Sequence, residues 1–246
     1  MTSYHGGKQR IGKKIAESIY NIDTENIKGY CEPFCGMLGV YQHIPELFAE
    51  CKLKYKAGDY NESVIKMWKK AQTGWIPPTK CTKTKYEELR HNGDSSAEKG
   101  FIGHQYSYGG QYFIGFRGSY NNKSAFEEAS KNVSKITTLP GINKCIFTAG
   151  EYTQFTKLKN YIIYCDPPYK KDNRYYEEDG KKIYFDSDLF WDWCRYMSKN
   201  NIVFVSEYSV PKRIKTKIIY LNKHKITGKS PKKEERERTE KLFLVL

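Results

Sequence analysis

The sequence has no long apolar run. Nowhere in its 246 residues is there a stretch close to the ~20 apolar residues that a membrane-spanning helix needs. The opening "MTSYHGGKQRIGKK" also lacks the apolar segment of a secretory signal. A protein of the cytoplasm is the expectation, in a bacterium or in the host cell of a phage or virus. Cysteine is present but unpatterned. There are seven, no two form a CxxC pair, and Cys31, Cys35, Cys51, Cys81, Cys145, Cys165 and Cys194 are scattered along the chain. That supports neither a disulfide framework nor a zinc site, and predicts reduced, mostly packed thiols with no bound metal. The G-x-G-x-x-G dinucleotide fingerprint and internal repeats are absent too. Acidic residues are in the minority, with 28 Asp plus Glu against 42 Lys plus Arg, a net charge of +14. This excess points to a polyanionic partner, nucleic acid ahead of an anionic membrane surface, or else to a solvated basic face.

What remains is rich in aromatics. With 21 Tyr and 12 Phe, rings are expected on binding surfaces as well as in the core. "IGKKIAESIYN" (11–21) reads as a short amphipathic helix, "IKGYCE" as a strand broken at Pro33 and Gly36, and "GVYQHIPELFAE" as helical after Gly39. "KLKYKAGD" alternates like a strand ending at Asp59, and "ESVIKMWKKAQ" carries apolar residues at helical spacing. This is the opening of an α/β fold with parallel strands. The rhythm stops over residues 74–144, a polar, aromatic and glycine-rich block with helices expected near Tyr86–His91 and Ser124–Ser134. It returns with "KCIFTAGEYTQF", the buried strand "YIIYC", a helix capped by Ser187 or Asp188, the strand "NIVFVSEYSVP", and a closing antiparallel pair, "IKTKIIYLN" and "EKLFLVL". The predicted organisation is a sheet domain of residues 1–73 and 145–246 interrupted by an inserted, mainly helical block, 74–144.

Three stretches carry chemistry. "EPFCGMLGV" places a glycine-bearing turn at the end of the first strand, where the backbone can approach a ligand or simply turn into a helix. "GDYN" ends the second strand with Asp59, able to accept from both hydroxyls of a ribose or to cap a helix. "DPPY" follows the buried strand "YIIYC". The Asp166 carboxylate and the Pro167 carbonyl offer two acceptors on a backbone that Pro167 and Pro168 restrict, and two acceptors match the two hydrogens of an exocyclic amine. Tyr169 offers a ring on which a base could stack.

Together with "YHGGKQRIGKKI" (4–15), these motifs resemble, in order, the Dam-type family of DNA adenine-N6 methyltransferases, in its alpha arrangement. The resemblance covers nearly the whole chain. It implies a Rossmann-like S-adenosylmethionine-dependent methyltransferase fold with a mixed sheet, and an enzyme that methylates N6 of a flipped-out adenine in duplex DNA. Such an enzyme would work in a restriction-modification system beside a companion restriction endonuclease, or as an orphan. By the same resemblance Tyr4, Gly7 and Lys8 match the W-x-G-G-K motif beside cofactor and active site, with Tyr for Trp. Glu32, Pro33, Phe34 and Gly36 match the cofactor turn, Asp59 the ribose acid, Tyr60 a neighbour of the cofactor adenine, and Glu151 the acidic turn after the third strand. Asp166, Pro167, Pro168 and Tyr169 match the catalytic motif, with Asp166 also beside the cofactor. The inserted block would then read DNA, and Gln105, Tyr108, Gln111, Tyr112 and Arg117, among flexible glycines, are the candidates. Lys223, Lys225, Lys229, Lys232 and Lys233 would hold phosphates, as would the Lys212–Lys217 run. "YSYGGQYFIGFR" departs from the N-R-x-G-x-N-G signature of GATC-type members, so the recognition sequence stays open. RNA adenine, cytosine N4 and protein amides are alternative acceptors, and a silent DNA-binding paralogue is an alternative role.

Overall fold

The computed structural model describes residues 4–23, 26–118, 123–169, 177–178, 181–182, 184–226 and 236–246. In chain order its elements are α1 (Gly12–Tyr20), β1 (Gly29–Glu32), α2 (Ile44–Leu47), β2 (Lys54–Asp59), α3 (Glu62–Gln72), α4 (Lys83–His91), α5 (Ala97–Gln105) and α6 (Lys123–Thr137). Then come β3 (Ile146–Ala149), β4 (Tyr161–Cys165), the short pair β5 (Glu177–Glu178) and β6 (Lys181–Lys182), α7 (Ser187–Met197), β7 (Ile202–Glu207), β8 (Thr216–Ile226) and β9 (Arg236–Val245). The main sheet has the order β3-β2-β1-β4-β7-β9-β8. Its first five strands are parallel, and β9 runs antiparallel between β7 and β8. The mixed, Rossmann-like α/β sheet expected from the sequence is therefore present. The strand order reverses between β1 and β4, and crevices beyond the carboxyl ends of strands at such a point are where ligands bind.

The strands β1 and β4 are buried along their whole length, as parallel strands covered on both faces must be. Their side chains sort by the two-residue period of a strand. Tyr30, Ile162 and Tyr164 join one core with α1 and α3, whereas Cys31, Ile163 and Cys165 join another with Phe190, Trp191, Cys194 and Met197 of α7. Of these helices, α3 and α7 begin at a side-chain cap. Asn61 Oδ1 accepts from the amides of Ser63 (3.0 Å) and Val64 (3.3 Å), and Asp186 Oδ1 accepts from Asp188 (2.9 Å) and Leu189 (3.0 Å). The cap of α7 is thus Asp186 rather than Ser187 or Asp188, because Asp186 is the last extended residue.

Two further expectations change. After Gly39 the chain makes only a 3-10 turn, Tyr41–His43, and the four-residue α2 instead of one helix. The stretch "GFIGHQ", for which no helix is expected, lies in α5, all of whose residues but Glu98 are buried. Gly100 lets α5 close onto α3, since a Cβ there would stand 2.2 Å from the Ser63 carbonyl oxygen, and Gly103 faces the rings of Tyr112 and Phe113. One apolar cluster runs from Val64 and Trp68 of α3 through Tyr86, Phe101 and Phe126 of the inserted helices. Replacing Gly100 by Ala is therefore expected to destabilise the protein by about 1–3 kcal/mol through overpacking. A urea unfolding midpoint unchanged from wild type would contradict this packing.

Candidate active site

The carboxyl ends of β1, β2 and β4 open into a cleft of about 910 Å³, whose far wall is built from residues 110–114 after α5. Tyr4, Gly7, Lys8, Glu32, Pro33, Phe34, Gly36, Asp59, Tyr60, Glu151, Asp166, Pro167, Pro168 and Tyr169 all line it, so residues from five separated segments meet in one space.

At the β2 end, Asp59 is buried and its two oxygens are each engaged by a backbone amide, Gly36 N–H at 2.9 Å and Asn61 N–H at 2.9 Å. Burial pushes its carboxyl up to about 6, and those two hydrogen bonds work against the rise. Asp59 thus clasps the glycine turn to the strand beside it, and each oxygen keeps a further lone pair. The turn itself is tight. Gly36 has φ +42°, a Cβ there would lie 2.8 Å from the Tyr4 ring, and the Trp68 indole donates to its carbonyl at 2.8 Å. Phe34 stacks on Tyr152 with ring centroids 5.6 Å apart, giving this end of the cleft an aromatic wall. Tyr60 and Glu151 are exposed at its edge. Glu32 is buried and accepts from the Tyr30 hydroxyl at 2.6 Å. Burial pushes its carboxyl up to about 8, with Asp166 adding to the rise and the Tyr30 bond opposing it.

At the β4 end, the Lys8 ammonium donates to both Asp166 oxygens at 2.7 Å and to the Gly6 carbonyl at 2.9 Å. It also lies 2.7 Å from the Tyr169 hydroxyl and 3.1 Å from Glu240 Oε1. The Tyr169 hydroxyl reaches Glu240 Oε1 at 2.6 Å and Asp166 Oδ1 at 3.0 Å. Burial lowers the Lys8 pKa, but Asp166 and Glu240 more than offset this, and it stays a cation. Burial raises Asp166, Lys8 pulls it back and Glu240 pushes it up, leaving it raised. Burial, Asp166 and Glu240 hold the Tyr169 hydroxyl far above the ordinary phenol range, so it remains a donor. The contacts of Tyr169 run through its hydroxyl, while its ring meets Tyr208 edge-on at 5.0 Å.

The DNA-reading candidates divide. Gln111 and Tyr112 line the cleft, whereas Tyr108 is exposed outside it and Arg117 is half-buried outside it. Gln105 is only 2% exposed, packed in α5, and so cannot reach a base edge as expected. Lys212, Lys215, Lys217 and Lys223 are exposed along the β7–β8 edge. Lys225 lies on β8, while Lys229, Lys232 and Lys233 fall outside the described residues.

Sequence reasoning missed Glu240 and His104. Glu240 shares an inward position of β9 with Leu242 two residues on, and an acid at such a position calls for a partner. His104 is buried between Tyr4 (4.6 Å) and Tyr112 (5.0 Å), and its Nδ1 meets the Gly110 carbonyl at 3.0 Å. A carbonyl can only accept, so Nδ1 carries the proton, and burial pushes the imidazole down to about 4 and keeps it neutral. Arg90 and His91, both beside Glu87, and the buried Lys99, whose ammonium donates to the Asn92 carbonyl, complete the inserted side of the cleft. Six of the seven cysteines are buried and Cys51 is exposed, all as free thiols. No helix among the described residues is long and apolar enough to cross a membrane.

No protein-family model matches the sequence, and no curated protein matches it. Among solved structures the chain is similar to a precorrin-6y C5,15-methyltransferase from Geobacter metallireducens GS-15, with TM-score 0.42 and 5% identity over 95% of this chain and 86% of that one. It is similar to the rRNA methyltransferase aviRa from Streptomyces viridochromogenes, with TM-score 0.38 and 12% identity over 95% and 84%. It is also similar to TrmN from Thermus thermophilus, with TM-score 0.40 and 10% identity over 97% and 53%.

The Glu32 shift has a measurable consequence. Its folded value, about 8, lies above the ordinary 4.5, so its contribution to stability is complete below about 4.5 and is lost as pH rises through about 8. Glu32→Gln keeps an acceptor for Tyr30 and does not titrate. The variant is expected to gain in melting temperature over wild type as pH rises from 5 to 8, by on the order of 5 °C, and then level off. Thermal melts across that range check it, and a difference independent of pH would count against a protonated Glu32.

Proposed function

We propose that this protein is an S-adenosylmethionine-dependent methyltransferase acting on the exocyclic amine of a nucleobase, and specifically on adenine N6 in duplex DNA. The observation that carries the reading is the Asp166-Pro167-Pro168-Tyr169 turn at the carboxyl end of buried β4, opening into the same cleft as Asp59 and the Gly36 turn. The cleft fits the cofactor by its chemistry. It combines an aromatic wall of Phe34 and Tyr152, a glycine turn, and the buried Asp59 carboxylate, whose further lone pairs suit ribose hydroxyls. Asp59 would hold the ribose, Tyr60 and Glu151 would border the adenosine, and Phe34 and Gly36 would shape the floor. When bound, S-adenosylmethionine supplies an electrophilic methyl group.

The chain's own residues then do three things. Asp166 and the Pro167 carbonyl accept the two N–H bonds of the amine. Those bonds favour a pyramidal nitrogen whose lone pair is available for attack, and they orient it for in-line transfer, so most of the catalysis is positioning. Asp166 finally takes the proton that the methylated nitrogen sheds. That nitrogen is strongly acidic, so a carboxylate, here raised by burial, is base enough. The target atom is unreachable in a stacked duplex, so the base is flipped into the cleft. Residues 74–144 form the target-reading part, with Gln111 and Tyr112 facing the flipped base. The net charge of +14 favours a nucleic-acid backbone over a small or protein substrate.

Tritium transfer from labelled S-adenosylmethionine to duplex DNA, RNA or protein, followed by digestion and chromatography, tests this. Label in N6-methyladenine from DNA is expected. Label only in RNA or protein would replace the substrate, and DNA binding without transfer to any acceptor would make the protein a silent paralogue. Asp166→Ala is expected to abolish transfer while leaving the cofactor dissociation constant within a few-fold of wild type. Asp59→Ala is expected to weaken cofactor binding more than about tenfold, a loss of ~1.4 kcal/mol or more. Calorimetry on both variants reads the split.

A further inference from the structure

We infer that Glu240 is a positioning residue for the transfer reaction. It gives the Lys8 ammonium and the Tyr169 hydroxyl a second anchor, so that Asp166 can turn to the substrate amine without stranding a buried cation. The inference rests on the methyltransferase reading above and deepens it.

The geometry is one of surplus acceptors. Lys8 has three N–H bonds and five oxygens within reach: two of Asp166 at 2.7 Å, Tyr169 at 2.7 Å, Gly6 at 2.9 Å and Glu240 at 3.1 Å. Tyr169 has one proton and two carboxylates within reach, and the shorter contact is to Glu240, 2.6 Å against 3.0 Å. Lys8, Asp166 and Glu240 are all largely shielded, with side chains 5%, 19% and 10% exposed. In such a place a cation that loses its partner is strongly disfavoured. As the site stands, Lys8 donates to both oxygens of Asp166, the side chain that must accept one N–H of the amine beside the Pro167 carbonyl. An incoming N–H therefore competes with Lys8 for Asp166, and Glu240 is the carboxylate that can take up the ammonium with little movement.

The neighbours of the cluster do not offer another receiver. Glu32 faces it from β1 and is held protonated by burial near neutral pH. Tyr164, from β4, bonds Ser206 of β7 through its hydroxyl at 2.9 Å. Tyr208 meets Tyr169 through its ring. The carboxylate available to Lys8 besides Asp166, among the described residues, is that of Glu240.

The test is steady-state transfer to duplex DNA by the full chain from pH 5 to 10, with calorimetry of S-adenosylmethionine binding, for Glu240→Gln and Glu240→Asp. For Glu240→Gln, kcat is expected to fall by about 10- to 100-fold, with the cofactor dissociation constant within about threefold of wild type. Asp166 must be ionised to accept the amine, and the Glu240 charge raises it. The acid limb of kcat should therefore move to lower pH in Glu240→Gln. Glu240→Asp, which keeps the charge, should recover much of the rate and the wild-type limb. Wild-type kcat in folded Glu240→Gln overturns the inference. So does a lower kcat with an unmoved limb and no recovery by Asp, since that is what a merely structural role gives. Should Glu240→Gln fail to fold alone, Lys8→Gln is compared with Lys8→Gln/Glu240→Gln: with no ammonium left to receive, removing the Glu240 charge should cost less than about threefold in kcat, and a further loss of about 10- to 100-fold overturns the inference. If wild type transfers to no acceptor, the methyltransferase reading itself falls and takes this inference with it. A wild type that is active alongside unaffected variants removes only the role of Glu240.

Discussion

One buried ammonium ties the molecule's site together. Lys8 comes from the segment before α1, Asp166 from the end of β4 and Glu240 from β9, so a single cation joins the start, middle and end of the chain. Two carboxylates cannot be brought this close in a shielded place without such a counter-charge. The rest of the local structure serves to deliver Lys8 there. A Cβ on Gly39 would lie 3.0 Å from the Lys8 amide nitrogen, and one on Gly12 would lie 2.0 Å from the Gly39 carbonyl oxygen. The segment around Lys8 thus rides directly on the backbone of the glycine turn. That turn is held in place by Asp59 through Gly36 N–H and by Trp68 through the Gly36 carbonyl. Asp59, assigned to a ribose by resemblance, is in this way also part of the scaffold of the opposite end of the cleft.

The inserted helices are fastened to the same frame. The His5 amide donates to the Gly110 carbonyl at 3.2 Å, and the same carbonyl receives His104 Nδ1. Gly100 brings α5 against the backbone of α3, and the Ser130 hydroxyl bonds the Pro77 carbonyl at 2.6 Å. A wall of the cleft that would read a target is therefore packed onto the helix that also supports the glycine turn. Tyr4 lies between Gly36 and His104, so the segment that carries Lys8 touches both the glycine turn and the inserted helix.

The sheet was legible in the sequence because burial on both faces leaves apolar runs such as those of β4 and β7, while β2 shows itself by the alternation of "KLKYKAGD". The meeting of Glu32–Gly36, Asp59 and Asp166–Tyr169 was legible as well, since parallel strands carry all their carboxyl ends to one edge, whereas Tyr4–Lys8, before α1, was placed there by the family resemblance alone. The helix α5 was not legible. "GFIGHQ" has the composition of a loop, and its glycines are required by the close approach of Ser63 and of two aromatic rings, which only the folded chain reveals. Gln105 was misjudged for the same reason, as polarity in sequence says nothing of burial inside an unrecognised helix. Glu240 sits in a strand whose apolar residues mask the inward position of a single acid. Its partner lies at residue 8, and no local pattern spans that separation.

Tyr169 shows why the acid on β9 matters to the ring as well as to the cation. A tyrosine whose hydroxyl is unbound can rotate about its side chain and meet a flat ligand at many angles. Here the hydroxyl accepts from Lys8 and donates to Glu240 at 2.6 Å, and the ring edge meets Tyr208. Three contacts from three segments leave the ring one orientation, fixed before any base arrives. A ring held this way loses little side-chain entropy on stacking, which is the advantage of pre-organisation in a site whose chemistry consists of placing one nitrogen in line with one methyl group. The hydrogen bonds that withdraw the hydroxyl from substrate thereby suit the ring for the stacking role proposed for it.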